Sequence, residues 1–508
     1  MTEVLTATQM KAIEAAAVAS GSVTGLELME RAGRGVMAAF FAEWPQFAAR
    51  SYRAVVLCGP GGNGGDGFVV ARLLQEWGWQ VLVHQLAAPA TEDTKAMAAL
   101  WSGPVRGVLE WSDFEGAALV VDAMFGIGLQ RDISAGVWGL LEMAKTCGCK
   151  LVAVDILSGI CTESGRIRAL NYLEWPADLT VTFQTPKPGH YLAEGGALRG
   201  ALAVVPLGLT QQVAALLRDD ISVVELTGPT AAGLRKGGGH KFNHGHALVL
   251  AGEHGGAARL AARGALRIGA GVVTVGCPPE AVAENAARLD AVMLRVVAQG
   301  EGLAQVLADA RINVVCVGPG LGVARAAEML RLLPGVSRGK PRLTVIDADG
   351  ITALAADAGL FAALHKGCVL TPHAGEFARL FPDIAAKLAA PAAKAVAYSK
   401  LDACREAALL AGCVVLYKGA DTVIAAPDGR CAINAAVYER AAPWLATAGS
   451  GDVLAGFITG LLARGFEPFE AACSAAWLHV ECARAFGPGL IAEDLPEMLP
   501  QVFRQLGV

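Results

Sequence analysis

The chain has 508 residues, 54% of them hydrophobic and only 6% aromatic, with a formal net charge of −5. A chain of this length predicts two to four domains with large buried cores, and its composition excludes disorder. The acidic balance advertises no basic face to nucleic acid, and the nine tryptophans form no spaced row for stacking bases. The opening "MTEVLTATQMKAIEAAA" has no basic region followed by an apolar run, so no export signal is expected. Every apolar stretch is broken by Gly, Pro or charge well short of the roughly 18 residues that a membrane helix needs. The twelve cysteines are scattered without a CxxC pair, which predicts reduced, mostly buried thiols and a cytoplasmic protein.

In chain order, "AVVLCGP" (54–60) reads as a buried strand running into a turn, and "FVVARLLQEWG" (68–78) follows with helical spacing. "WQVLVHQL", "ALVVDAMFG" (118–126), "KLVAVDIL" (150–157), "DLTVTF" and "ALAVVPLG" are further strands, and two of them place an aspartate near their carboxyl end. Alternating strands and helices predict a parallel sheet covered on both faces. The pattern then restarts. "GHALVLAG" (245–252), "GVVTVGCP", "NVVCVGPGLG" (313–322), "RLTVIDADG" (342–350), "CVLTPHAGEF" (368–377) and "CVVLYKGADTVIAAPDG" (413–429) each read as strand into loop. Between the halves lies a polar stretch with a "TGP" breaker and three consecutive glycines. The expected division is therefore 1–218, a linker over 219–235, and 236–508.

The stretch "GPGGNGGDG" (59–67) fits GxGxxG after a strand and before a helix. A dinucleotide-binding turn would need an acid about 20 residues on, to hold a ribose hydroxyl, and "LVHQLAAPA" supplies none. Open parallel sheets bind ligands beyond the carboxyl ends of their strands, and three such ends carry oxygen ligands: Asn63, Asp122 and the Asp155–Ser158 pair. An amide, a carboxylate and a hydroxyl suit a hard cation, although a lone aspartate at such a position is as often a turn cap. The glycines would let a substrate approach the backbone, with their amides facing its phosphates.

In the second half, "LATAGSGDVLAGFITGLLARGFEP" (445–468) repeats apolar residues at helical spacing, predicting a helix from near Asp452 to near Gly465. "GSGD" then lies at a helix N-terminus, where backbone amides and the dipole favour an anion such as a transferring phosphate. Asp452 is placed there either as a simple N-cap or as the base that takes a proton from an attacking hydroxyl. The dipole would lower its pKa. Asp347 and Asp349 end the "TVIDAD" strand and fit a cation site or a turn alike. The three histidines of "HKFNHGHAL" lack a further ligand at zinc spacing.

These motifs carry a resemblance. "CGPGGNGGDGFVVARLL", "VVDAMFGIGLQRDI", "VAVDILSGICTESG" and "TFQTPKPGHY" resemble the NAD(P)H-hydrate epimerase domain over roughly 1–215. "GPGLG", "VIDADGITAL", "LTPHAGEFARL", "YKGADTVIAAPDG" and "ATAGSGDVLAG" resemble the ADP-dependent NAD(P)H-hydrate dehydratase domain over roughly 235–505. The resemblance implies an α/β chain of two domains: an N-terminal Rossmann-like three-layer αβα sandwich and a C-terminal ribokinase-like αβα sandwich. It departs from the family at Gly62, Leu157 and Gly350, and in a short loop before Gly256.

The implied function is nicotinamide nucleotide repair. The first half would epimerise the R and S forms of hydrated NADH or NADPH. The second would dehydrate the S form with ADP as co-substrate, giving AMP and phosphate. By the resemblance, Asn63, Asp122 and Ser158 hold potassium. Gly62, Asn63, Gly64, Gly65, Asp66, Gly126, Ile127, Gly128, Leu129, Gln130, Arg131 and Asp132 contact the hydrate, and Asp155 is the acid/base group, with Lys187 as a further candidate. In the second half Asp452 is the base and Gly451 an anion-hole amide. Lys418, Gly419, Ala420, Asp421 and Thr422 contact the nucleotide, and Ala257, Gly320 and His373 line the hydrate pocket. Magnesium is expected between phosphates without a named protein ligand, and a homo-oligomer is the expected assembly. The alternative is a ribokinase-like small-molecule kinase for a vitamin precursor, with a non-catalytic N-terminal binding module.

Overall fold

The computed structural model describes residues 2–169, 175–229, 231–333, 336–337, 340–392 and 396–508. The chain divides into two units: Glu3–Val224 with Pro391–Ser399, and Met1–Thr2 with Glu225–Ala390 and Lys400–Val508. The polar stretch expected as a linker holds the end of a helix (Thr210–Asp219), a short strand (Val224–Leu226) and one helical turn (Ala231–Leu234). Thr230, within it, lies outside the described residues.

In the N-terminal unit seven parallel strands run in the spatial order Val105–Arg106, Gln80–Gln85, Arg53–Cys58, Leu119–Ala123, Lys150–Val154, Leu179–Phe183, Ala201–Val205. The strand Arg53–Cys58 explains the layering. Ala54, Val56 and Cys58 enter one core, while Val55 and Leu57 enter the core on the other face. A strand buried on both faces needs this continuous apolar run, because its side chains alternate. The helix after it begins earlier than its apolar spacing predicts. It spans Gly62–Glu76 with Gly61 as its cap, so "NGGDG" forms its first turns.

In the C-terminal unit the strand order is Cys431–Ala435, Asp421–Ala425, Val414–Tyr417, Cys368–Leu370, Leu343–Ile346, Ile312–Val317, His246–Leu250, Val272–Cys277, Met293–Val296. From Val414 onward in that spatial order the strands are parallel. The stretch 413–429, expected as one strand running into a loop, is instead an antiparallel hairpin, with Val415 opposite Ala425, and Cys431–Ala435 extends it. Its tight turn spans Lys418–Ala420, and the polar Asp421 and Thr422 open the returning strand. His246 opens its strand buried, with Nε2 2.8 Å from Thr274 Oγ1 and Nδ1 without a partner among the described residues.

The helix Ser450–Ala463 lies inside this unit and is buried from Val453 to Ala463. A helix that is apolar all round has to be covered all round. Its closest neighbour is the helix Gly256–Arg267. A methyl group at Gly456 would sit 2.8 Å from Ala261 Cα, and one at Gly460 would sit 2.9 Å from Ala265 Cα. These two glycines let the backbones approach and fix where the helix presents its first turn. We expect Gly456→Ala to cost about 1–3 kcal/mol through overpacking, read as a lower urea midpoint for the C-terminal unit.

Candidate active sites

Each unit gathers its polar residues at the carboxyl ends of its parallel strands, as open α/β sheets do. In the N-terminal unit these ends contribute 59–66, 122–132, 155–158 and 184–187. Asp122 and Ser158 form a closed pair. Asp122 Oδ1 accepts from Ser158 Oγ at 2.7 Å and from Met124 N at 3.2 Å, and Oδ2 accepts from Ser158 N at 2.7 Å. Burial pushes the Asp122 carboxyl up to about 6, against the lowering effect of these hydrogen bonds. The turn that presents Ser158 is thus tied directly to Asp122, and Leu157 within it is buried in the core. Asn63 lies beside them: a Cβ at Gly126 would be 3.2 Å from Asn63 Oδ1. The Asn63 Nδ2 group is buried without a partner.

The glycines of "GPGGNGGDG" serve packing more than ligand approach. A Cβ at Gly65 would collide with the Met29 side chain, and one at Gly67 would lie 2.7 Å from Ala123 Cβ. The amides of Gly64 and Gly65 bond Gly61 O at 2.9 and 3.3 Å. At Gly62 nothing lies within 4 Å of the Cβ position, so the asparagine usual in the family has room there. The first-turn amides of Gly62 and Asn63 remain at the open end of the helix. The loop 126–132 forms an exposed rim. Arg168, which the sequence reading missed, anchors it: its guanidinium donates to Asp132 Oδ1 at 2.8 Å and to Gln130 O at 3.3 Å.

Asp155 follows directly on its strand with φ +68°, a conformation uncommon for a residue with a side chain. Four contacts hold it. Its N–H donates to Val181 O at 2.7 Å, and its carbonyl accepts from His190 Nε2 at 2.9 Å. Its Oδ1 accepts from Thr182 Oγ1 at 2.8 Å and forms an ion pair with Lys187 Nζ at 3.2 Å. The Lys187 ammonium, 1% exposed, also reaches Thr182 Oγ1, Phe183 O and Thr185 O at 2.9–3.0 Å. It has no donor left for a ligand and acts as a fixed positive charge behind Asp155. His190 Nδ1 accepts from Lys187 N at 3.0 Å, so the ring is neutral with its proton on Nε2. Burial and the Lys187 charge push it down to about 3. Thr182 and His190 were not anticipated, because they act on Asp155 rather than forming a motif.

In the C-terminal unit the helix begins at Ser450, two residues earlier than its apolar spacing predicts. Gly449 is its cap, at φ +87°, where a side chain would be strained. Asp452 is therefore the third helical residue and not the N-cap, and its carboxylate accepts no hydrogen bond among the described residues. Burial and then Asp347 push it up to about 6, with Asp349 adding and Lys418 opposing. The expected lowering by the helix dipole is outweighed. His479 Nε2 donates to Ser450 O at 2.8 Å and steadies the first turn from behind.

Lys418 is the hub of this site. Its Nζ lies 2.8 Å from Asp347 Oδ1 and 3.8 Å from Glu376 Oε2. Burial alone would lower it, but Asp347, Glu376 and Asp452 together raise it. A Cβ at Gly451 would be 3.6 Å from Lys418 Nζ, so that backbone faces the same space. Gly419 and Thr422 close the hairpin turn through Thr422 Oγ1, at 3.1 Å from Gly419 N and 2.7 Å from Gly419 O. Lys400 Nζ pairs Asp421 Oδ1 at 2.6 Å. His373 caps the helix Ala374–Leu380: its Nδ1 accepts from Gly375 N at 3.0 Å, while Glu376 Oε2 accepts from His373 N at 2.9 Å. Ala257 and Gly320 are neighbours, with 3.1 Å between Ala257 Cβ and the Cβ position of Gly320. Three residues on from Ala257, Leu260 abuts Gly449. Among the described residues no group of three or more His, Cys, Asp or Glu side chains is arranged to hold a metal ion.

The fold and these two strand-end sites define a two-unit α/β protein, each unit built on a largely parallel sheet with polar residues gathered at its strand ends. Two family models match the chain: the YjeF-related protein N-terminus over residues 25–189, and NAD(P)H-hydrate dehydratase over 247–500. The chain is 34% identical to the bifunctional NAD(P)H-hydrate repair enzyme Nnr of Moorella thermoacetica, across 99% of this chain and 97% of the relative. It is 42% identical to an NAD(P)H-hydrate epimerase of Roseobacter litoralis, across 41% of this chain and 100% of the relative. A solved ADP/ATP-dependent NAD(P)H-hydrate dehydratase from Bacillus subtilis, co-crystallised with ATP and Mg2+, is 27% identical, with 55% of this chain and 95% of that one covered and a TM-score of 0.42. The chain belongs to the family of bifunctional NAD(P)H-hydrate repair enzymes. No helix of the described residues is long and apolar enough to cross a membrane, and all twelve cysteines are free thiols.

The Lys187 ammonium is closed off from solvent, and removing one partner of a buried pair leaves the other charge uncompensated. We expect Lys187→Met to destabilise the N-terminal unit by about 3–5 kcal/mol, measured by chemical denaturation.

Proposed function

We propose that this chain repairs hydrated NADH and NADPH: its N-terminal unit interconverts the R and S epimers at C6, and its C-terminal unit dehydrates the S epimer with ADP. The observation that carries the second activity is the Asp452 carboxylate, unbonded in the first turn of a buried helix, raised to about 6, and facing Lys418. A base must be free to accept a proton, and its affinity for that proton must be close to working pH. Asp452 takes the proton of the C6 hydroxyl as that oxygen attacks the terminal phosphoryl of ADP. The new O–P bond forms as the bond to AMP breaks. Phosphate then leaves C6 with loss of a ring proton, restoring the dihydronicotinamide. Hydroxide is a poor leaving group and phosphate a good one, which gives the nucleotide its purpose.

Lys418 and the hairpin turn through Thr422 would hold the nucleotide, with Gly451 N–H and the helix dipole steadying the transferring group. Ala257, Gly320 and His373 would line the hydrate pocket. Magnesium is usually held by phosphates and waters with few protein ligands. When bound, it would neutralise phosphate charge.

In the N-terminal unit, the open amides of Gly62 and Asn63, the side chain of Asp66 and the rim loop 126–132 would contact the hydrate. Asp155, held from behind, is the acid/base group. The donors of Asn63, Asp122 and Ser158 fit potassium. Turning the Asn63 amide replaces an unpartnered buried N–H2 with an oxygen, and a buried carboxylate stands beside it. When bound, the ion would offset the charge of Asp122. Epimerisation is then expected to slow when potassium is exchanged for tetramethylammonium at equal ionic strength.

Paired variants test the division of labour. Asp155→Asn should lower conversion of the R epimer by about 100-fold or more while the S epimer is still dehydrated, and Asp452→Asn should do the reverse. Chromatographic separation of the epimers and recovery of dihydronicotinamide absorbance read the two steps. A small-molecule kinase would instead stop at a stable phosphate ester. Because the ionised form of Asp452 is the base, kcat/KM for dehydration should hold above about pH 6 and fall tenfold per unit below it.

A further inference from the structure

The N-terminal helix Ala7–Ala19 brings a carboxyl group to the epimerase site that no sequence motif marks. The helix is tethered there at its start. Leu5 N–H donates to Pro186 O at 3.1 Å, next to Lys187, and Ala7 N–H donates to Glu163 Oε1 at 2.7 Å. Met10, Ile13 and Ala17 face the core. Lys11 and Glu14, one turn apart, share an adjacent side. Lys11 Nζ lies 3.7 Å from the Cβ position of Gly128, so this side of the helix borders the rim loop 126–132. Glu14 is half-buried. The charged groups around its carboxyl are Asp155 and Lys187 from the strand ends, Lys11 from its own helix, and Asp66 from the helix Gly62–Glu76.

We infer that Glu14 is the second proton carrier of this site, giving a proton to the hydroxyl that leaves C6 on one face of the ring while Asp155 takes the proton of the water that adds on the other. The inference rests on the epimerase reading above and deepens it. Inverting C6 by loss and return of oxygen needs an acid for the departure and a base for the return. The two carboxyl groups are set differently for these tasks. Asp155 Oδ1 accepts a hydrogen bond from Thr182 Oγ1 and lies 3.2 Å from the Lys187 ammonium. Glu14 receives none among the described residues. Burial and then the Asp155 charge raise its pKa. One carboxyl held by a hydrogen bond and an ammonium, and one without a hydrogen-bond partner, can divide the two proton transfers between them.

The step balances. The C6–O bond breaks as the ring nitrogen lone pair forms a C6=N bond, and Glu14 supplies the proton that turns the departing hydroxide into water. Water then attacks C6 from the opposite face, the C6=N electrons return to nitrogen, and Asp155 accepts the excess proton. Solvent returns one proton from Asp155 to Glu14, and the reverse epimerisation runs the two roles backward.

The experiment uses the full chain, a purified R epimer and a chromatographic assay of S formation across pH. In the wild type the rate should fall on the alkaline side as Glu14 loses its proton. Glu14→Gln should lower kcat by about 100-fold and abolish that alkaline limb, since an amide cannot donate in this way. Glu14→Asp should recover part of the rate, with the limb displaced. ADP-dependent dehydration of pure S epimer and circular dichroism report that the variants are folded. Glu14→Gln within about threefold of wild type, with the alkaline limb intact, overturns the inference. If the glutamine variant does not fold, the aspartate variant decides in the same way: an unchanged rate and limb overturn it. A wild-type chain that forms no S epimer at all sinks the epimerase reading itself, a different result from an indifferent Glu14.

Discussion

The constraint on which both sites depend is the cost of a carboxylate at the buried carboxyl end of a parallel strand. Taken out of water, such a group protonates, finds a partner or keeps a raised pKa. The chain uses the last two outcomes. Asp122 is wrapped by Ser158 and the Met124 amide, Asp155 by Thr182 and Lys187, and Asp347 by Lys418. Asp452 alone of these four accepts no hydrogen bond among the described residues, and burial raises its proton affinity as it raises that of Asp122.

The two lysines illustrate how one residue type serves two purposes. Lys187 is shut away and spends its protons on fixed oxygens, so it acts as an internal counter-ion. Lys418 is one-fifth exposed, bridges Asp347 and Glu376, and lies near Gly451. A nucleotide phosphate entering that space would meet a positive charge already oriented by carboxylates. Histidines follow the same logic. His190 and His479 are buried and neutral, each donating to a carbonyl that fixes the backbone of an acidic group or its helix. His373 by contrast is exposed and closes a capping box.

Much of the architecture was readable from the chain because it is local. Continuous apolar runs marked the central strands, and the restart of the pattern near residue 245 marked a second unit. The hairpin of 414–425 was not readable, since a strand running into a loop and a strand turning back have the same apolar beginning; pairing with a neighbour decides between them. The start of the helix at Ser450 was missed for a related reason. Apolar periodicity locates the buried face, but the first turn, Ser450–Asp452, is polar and falls outside it.

The sequence by itself determined the two α/β units, the glycine-flanked Asn63 and Asp452, and the strand-end aspartates, because each is a short stretch whose residue types carry the meaning. Tertiary structure alone decided which groups flank those acids. Thr182, Lys187 and His190 reach Asp155 only when adjacent strand ends align, and Glu14 arrives on a helix well over a hundred residues away in the chain. It also reversed the meaning of several glycines: Gly64, Gly65, Gly456 and Gly460 are required by neighbouring atoms that no local reading contains. Proton affinity belongs to this second class as well, since burial and the distance between charges exist only once the chain has packed.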